Sequence, residues 1–158
     1  MNRVGLGFDV HPLVPGRPLI LGGVTIESDL GLDGHSDADV LSHAVGEALL
    51  GALALGDLGR HFPDTDPRYR GISSLVLLEG VMELVTAGGA RLVNVDATVI
   101  AQSPRLSPRL PEMAKRLADV LGVDVESVSV KAKSPEGLGL VGRREGIAAM
   151  AVVSVEIP

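Results

Sequence analysis

Ile147-Ala148-Ala149-Met150-Ala151-Val152-Val153 is the stretch that decides the architecture. Every residue in it is apolar, and the run is far too short to cross a membrane, so it reads as the centre of a strand over Ile147–Ile157. A strand with no polar alternation needs cover on both faces. Helices can cover one face of a sheet, which leaves the other for self-association.

Reading outward, Val4–Phe8, Leu19–Ile26, Leu92–Ala101 and Val128–Lys133 supply further strands, with turn or bulge points at Pro15-Gly16 and Gly22-Gly23. Leu92–Ala101 alternates, setting Val93, Val95, Ala97, Val99 and Ala101 against Asn94, Asp96, Thr98 and Ile100. Ser36 or Asp37 is the expected cap of a helix running to about Leu53, with Val40, Leu41, Ala44, Val45, Ala48, Leu49 and Ala52 as its apolar stripe. Gly56–Arg70 reads as loop. A second helix spans about Ser73–Ala87 and stops at Gly88-Gly89, and a third opens at Ser107-Pro108 and ends at Gly122. This order predicts an α+β fold: a single domain over residues 1–158, with a mixed β-sheet covered by helices on one face.

A chain of 158 residues can bury a real core, and 46% of it is apolar, yet it has two Phe, one Tyr and no Trp. Val, Leu, Ile and Ala must therefore fill the interior. A formal charge of −6, with no basic stripe, argues against nucleic acid as partner. Without cysteine, thiolate chemistry and disulfides are excluded. No apolar run approaches the roughly 18 residues of a membrane helix, and no apolar signal core precedes Asp9. A cytoplasmic setting away from membranes is expected.

Chemistry-bearing residues gather in the first half. Asp9-Val10-His11 is followed by His35-Ser36-Asp37-Ala38-Asp39 and then His43. In an extended segment Asp9 and His11 project to the same side, and His43 approaches from a helix, one turn from Asp39 and Glu47. Imidazole and carboxylate suit zinc, and three protein ligands leave a fourth position open for a reacting group. The other reading is a set of surface or helix-capping residues with no common partner.

Two loops invite comparison with phosphate sites. Gly137-Leu138-Gly139-Leu140-Val141-Gly142 spells a dinucleotide fingerprint, but it lacks the strand before and the helix after that the fingerprint requires. It reads as a loop carrying arginines, either an anion contact or a solvated turn. Lys131-Ala132-Lys133-Ser134-Pro135-Glu136 leaves a strand with cations, a hydroxyl and a carboxylate, a set suited to phosphate and magnesium or to an ordinary polar strand exit.

The ordered series GFDVH (7–11), GGV (22–24), HSDADVLSHA (35–44), ALGDLG (54–59), FPDTDP (62–67), NVDATVIAQSP (94–104), VKAKSPEGLG (130–139) and GRREGIA (142–148) resembles the 2-C-methyl-D-erythritol 2,4-cyclodiphosphate synthase family over nearly the whole chain. The resemblance implies a lyase of non-mevalonate isoprenoid biosynthesis. Its reaction converts 4-diphosphocytidyl-2-C-methyl-D-erythritol 2-phosphate to the 2,4-cyclodiphosphate with release of CMP. It also implies a homotrimer, its sheets packed around a three-fold axis and its active sites between adjacent subunits.

By the same resemblance, Asp9, His11 and His43 would hold Zn2+, while Glu136 would hold Mg2+ (or Mn2+) with the substrate phosphates. His35 and Ser134 would serve catalysis at those phosphates. Substrate contacts would come from Asp9, Val10, His11, His35 and Ser36, from Asp57, Leu58 and Gly59, and from Phe62, Pro63, Asp64, Thr65 and Asp66. A cytidine and diphosphate pocket would be formed by Ala101, Gln102, Ser103, Pro104, Arg105, Leu106 and Ser107 with Ala132, Lys133, Ser134, Pro135 and Glu136. Leu140 and Arg143 would add contacts, and Arg143 and Glu145 would stand at the mouth of an axial cavity. Two departures stand out. Lys133-Ser134-Pro135 replaces threonines of many members, with Pro135 lacking a backbone N–H, and Leu140 replaces an aromatic of some members. A phosphoesterase using water at the same metal, or a non-catalytic trimeric binding protein, are the alternative functions.

Overall fold

A computed structural model describes residues 1–158, and in it the apolar C-terminal segment forms strand β7 (Gly146–Glu156). It lies between β1 (Asn2–Val14) and β5 (Arg91–Ile100), antiparallel to both. The sheet is completed by β4 (Gly31–Leu32), which pairs with the end of β1, and β6 (Val128–Lys133), which runs parallel to β5. The order β4-β1-β7-β5-β6 is therefore a mixed sheet, as expected.

Helices α1 (Val40–Ala52), α3 (Ser74–Ala87) and α4 (Leu110–Leu121) cover one face and close a core that runs from Leu19 to Val155. Short helices α2 (Leu58–His61) and α5 (Gly139–Gly142) interrupt the segments read as loops. The other face of the sheet stays bare. Val4, Leu6, Phe8 and Val10 of β1 and Met150 and Val152 of β7 are exposed on it. β7 was expected to need cover there; the apolar outer face of β1 was not anticipated, because its alternate positions are glycine, aspartate and histidine.

Those glycines set the helix position. Gly5, Gly7, Asp9 and His11 share the inner face of β1. A Cβ on Gly5 would stand 1.9 Å from the Ala48 carbonyl oxygen. Helix α1 thus lies directly on the strand, with alanines on glycines, and its N-terminal end comes to rest beside Asp9 and His11.

Several local expectations are corrected. Leu19–Ile26 is a hairpin of β2 (Leu19–Leu21) and β3 (Val24–Ile26), turned by Gly22 and Gly23 at φ +58° and +72°, values only glycine adopts freely. The cap of α1 is Asp39, neither Ser36 nor Asp37. Its fully buried carboxylate accepts from the backbone N–H of Ser42, Gly22 and Gly23 and from the Ser42 hydroxyl. Burial pushes its pKa up, against those hydrogen bonds. A register shift between Leu92 and Asn94 turns Leu92 into the core and leaves Val93 half-buried. Ser107 does not cap a helix; it begins a single 3-10 turn, Ser107–Arg109, that leads into α4.

Candidate functional site

Strand alternation and the α1–β1 contact bring Asp9, His11 and His43 to one point. Asp9 Oδ2 lies 2.9 Å from His43 Nδ1 and 2.9 Å from His11 Nε2, and the two ring nitrogens are 3.1 Å apart. Ligand atoms about 2.0–2.2 Å from a tetrahedral ion stand roughly 3.3 Å from one another, so the triangle is close to the size a metal ion sets.

The protons of the two rings fit the same purpose. His11 Nδ1 is 2.9 Å from the Asp33 carbonyl oxygen, which can only accept, so that nitrogen carries a proton and in the neutral ring Nε2 keeps its lone pair. His43 Nε2 is 2.8 Å from Ser74 Oγ and 3.2 Å from Ser36 Oγ, with Nδ1 turned to Asp9. Three electron-rich atoms then meet within hydrogen-bond distance and require a positive charge between them. The titration properties reflect this. Burial favours the neutral form of Asp9, but the His11 and His43 hydrogen bonds outweigh it and hold the acid well below the usual carboxylate range. Burial also opposes charge on His11, yet the Asp9 carboxylate raises the ring above its ordinary value. These residues can hold a metal ion.

A cavity of about 490 Å³ opens from the triad and is lined by His35, Ser36, Leu58, Gly59, Phe62 and Asp64, all anticipated from the sequence. Gly34, Glu47, Tyr69 and Leu77 line it too and were not. Glu47 had a visible signal, since it lies one helical turn from His43. Its carboxylate accepts the Leu58 N–H at 3.2 Å. Burial raises its pKa, with the Asp57 and Asp9 charges adding to the effect.

His35 is not on α1. It lies in the preceding loop with Nε2 3.1 Å from the Asp66 carbonyl oxygen. Nor is the N-terminus of α1 fully open to an anion, because the Asp39 carboxylate takes the Ser42 N–H. Ser36 is buried, with its hydroxyl turned to His43 and to the Ala38 N–H. Asp57 caps α2, Asp66 pairs with Arg68 at 2.6 Å, and Pro63 and Thr65 stay outside the cavity wall. Val10 alternates onto the bare outer face of the sheet.

The remaining candidates form a separate cluster. Ala101 N donates to the Lys133 carbonyl at 3.1 Å, and Gly137 N donates to Gln102 Oε1 at 2.9 Å, joining residues 101–107 to residues 132–137. Glu136 adopts φ +56° and donates its N–H to Ser134 Oγ at 3.1 Å. None of these residues lines the cavity of the triad. Sheet register shows why: Asp9 pairs with Ala149, Ala149 with Val99, and Val99 with Ala132. Three strand spacings place Asp9 and Ala132 about 14 Å apart on one row. The two clusters sit at the same end of the sheet, toward opposite edges of it. Leu140 and Arg143 belong to the α5 turn, with Arg143 paired to Glu145 at 2.9 Å.

No helix is long and apolar enough to cross a membrane. The YgbB family model matches residues 2–156. The chain is 61% identical over 150 residues to a 2-C-methyl-D-erythritol 2,4-cyclodiphosphate synthase of Bordetella avium, covering 95% of this chain and 93% of that one. It is 59% identical over 153 residues to the synthase of the same name from Desulfitobacterium hafniense, covering 97% of each. Among solved structures, the bifunctional IspDF of Campylobacter jejuni superimposes with a TM-score of 0.96 at 40% identity; all of this chain is covered, and it spans 43% of that longer one. A 2C-methyl-D-erythritol-2,4-cyclodiphosphate synthase solved in its CDP-bound form gives a TM-score of 0.90 at 39% identity, covering 98% of this chain and 100% of that one.

Proposed function

The chain belongs to the YgbB family and is a lyase of the cyclodiphosphate synthase kind, and on that premise we propose that it cyclises 4-diphosphocytidyl-2-C-methyl-D-erythritol 2-phosphate to 2-C-methyl-D-erythritol 2,4-cyclodiphosphate, releasing CMP, in non-mevalonate isoprenoid precursor synthesis in the cytoplasm. The observation that carries this reading is the convergence of Asp9, His11 and His43 in the wall of one cavity, in a chain so similar to named synthases.

An oxygen of the substrate's 2-phosphate attacks the β-phosphorus, and the bond from that phosphorus to the bridging oxygen breaks, so CMP leaves with the electron pair. Both reacting groups belong to one molecule, so the protein's task is to fold it and to neutralise charge. Zinc held by Asp9, His11 and His43 would supply Lewis acidity to the β-phosphate, and magnesium or manganese held by Glu136 would offset the charge of the diphosphate. The chain's own groups hold the rest. Ser134 accepts from the Glu136 N–H and keeps its hydroxyl proton to donate to a phosphate oxygen. Lys133 is exposed at the end of β6, whereas Lys131 is tied to Asp96 at 2.8 Å. His35 lines the cavity, while Leu58, whose N–H is held by Glu47, and Gly59 fit the erythritol part. Residues 101–107 suit the cytidine, consistent with the CDP carried by the similar solved synthase.

The functional unit in this reading is a homotrimer with each site between neighbours. Two features support it: the bare apolar face of β1 and β7, where Leu6 is 63% and Phe8 56% exposed, and the separation of the two clusters along the sheet. The test is to incubate the metal-loaded protein with the cytidine diphosphate substrate and follow products by phosphorus NMR. A cyclic diphosphate with CMP is expected. An open phosphate monoester would point to a phosphoesterase, and unchanged bound substrate to a binding protein.

A further inference from the structure

Ser74, the buried first residue of α3, joins half-buried His43 to half-buried Asp37. Its hydroxyl makes a short hydrogen bond to Asp37 Oδ1, and its Oγ lies 2.8 Å from His43 Nε2. Asp37 is itself fixed, because it accepts the Ser74 N–H at 3.0 Å and the Asp39 N–H at 3.1 Å. A hydroxyl has one proton, and an ionised carboxylate can only accept, so the Ser74 O–H donates to Asp37. The Ser74 oxygen therefore offers only lone pairs to His43, so Nε2 must be the N–H and the free lone pair falls on Nδ1, beside Asp9 and His11. Ser36 is the more distant partner of the same nitrogen, at 3.2 Å, and its oxygen can accept the Nε2–H as well.

We propose that Ser74 and Asp37 are positioning residues of the metal centre, a carboxylate–hydroxyl–imidazole chain that selects the Nδ1-ligating tautomer of His43 and fixes its ring. The proposal rests on the reading that Asp9, His11 and His43 hold a metal ion. Outer partners of this kind raise the basicity of the ligand and hold its orientation, and losing one weakens metal binding about 10- to 100-fold.

The experiment measures zinc affinity by competition with a chromophoric chelator and records long-range 1H–15N spectra of the imidazoles. In the zinc-loaded wild type, His43 is expected to carry its proton on Nε2. Ser74→Ala should weaken zinc binding by about 10- to 100-fold, Asp37→Asn by less, and Ser74→Thr, which keeps the hydroxyl, should retain most of the affinity. Folded Ser74→Ala protein, judged by its far-UV dichroism, that binds zinc as tightly as wild type overturns the proposal. Undiminished binding in His43→Ala overturns the metal reading instead. Should Ser74→Ala not fold, the wild-type spectrum decides, because a proton on Nδ1 of His43 rules the chain of bonds out.

Discussion

Gly7 lies against the carbonyl of Ala44: a Cβ on the glycine would stand 1.9 Å from that oxygen and 2.7 Å from the Ala48 nitrogen. Both obstacles are helix backbone, which cannot swing aside as a side chain can. Two residues further along β1 the same face carries Asp9, and one residue before Ala44 stands His43. The contact that packs the helix is thus also the ruler for the distance between ligands on the two elements.

Gly7→Ala should therefore lift α1 and pull His43 away from Asp9 and His11. A stability loss of about 1–3 kcal/mol is expected from overpacking, with zinc affinity falling in parallel. Gly51→Ala is the control on the same helix, since its Cβ would meet nothing closer than 3.9 Å. Thermal melts and chelator competition on the two variants check this. Equal behaviour of the pair would show that the close approach does not hold the site.

Metal binding and metal-free stability should respond to pH in opposite directions. The folded-state pKa of His11 is raised, so its contribution to the metal-free fold is complete below about pH 6.5 and is lost as pH rises through the folded value. Asp9 is depressed, so its contribution is complete above about pH 4 and is lost as pH falls towards the folded value. The metal-stripped protein should gain most from this pair between those limits. Zinc, by contrast, needs His11 deprotonated, so its affinity should rise with pH across neutrality. Denaturant titrations of the stripped protein and chelator competition across pH 5–8 measure both slopes; zinc affinity flat with pH would remove His11 from the ligand set.

The sequence could show Asp9 and His11 together because period-two geometry is local, and it could place His43 on a helix because that helix has an apolar stripe. It could not show that β1 continues through Pro12 to Val14, since that stretch is held by β4 and β7. Ser74 was equally hidden. It looks like one more residue at a helix start, and only tertiary packing sets its hydroxyl between Asp37 and His43. Asp39 rather than Ser36 or Asp37 is the cap, and what buries and fixes it there, its ties to Gly22 and Gly23, spans a long stretch of chain. What neighbours in space contribute was out of reach wherever they were not neighbours in sequence.

His35→Ala should lower turnover and leave zinc bound. The ring lines the cavity but stands outside the triad; Nε2–H goes to the Asp66 carbonyl, so a bond from Nδ1 to a phosphate oxygen requires the imidazolium form of the ring. Losing one hydrogen bond to a charged phosphate, worth roughly 1.5–3 kcal/mol, corresponds to a drop of about 10- to 100-fold in kcat/KM. Metal analysis after dialysis, beside steady-state kinetics, is the check. Zinc lost together with activity would make His35 part of the metal centre.

The two clusters toward opposite edges of the sheet make the shared-site reading open to a mixing test. His43→Ala removes a metal ligand and leaves residues 132–136 intact; Glu136→Ala does the reverse. Neither should turn over substrate alone. Around a three-fold ring each junction pairs the triad of one subunit with the 132–136 segment of the next, so every mixed trimer has one junction at which both halves are whole. Unfolding and refolding an equal mixture gives about three mixed trimers in four, each with about one good site in three, so roughly a quarter of wild-type activity should return. The recovered rate should track the fraction of mixed trimers seen by native mass spectrometry as the mixing ratio is varied. A site confined to one subunit predicts no recovery at any ratio, since each subunit would then carry its own defect.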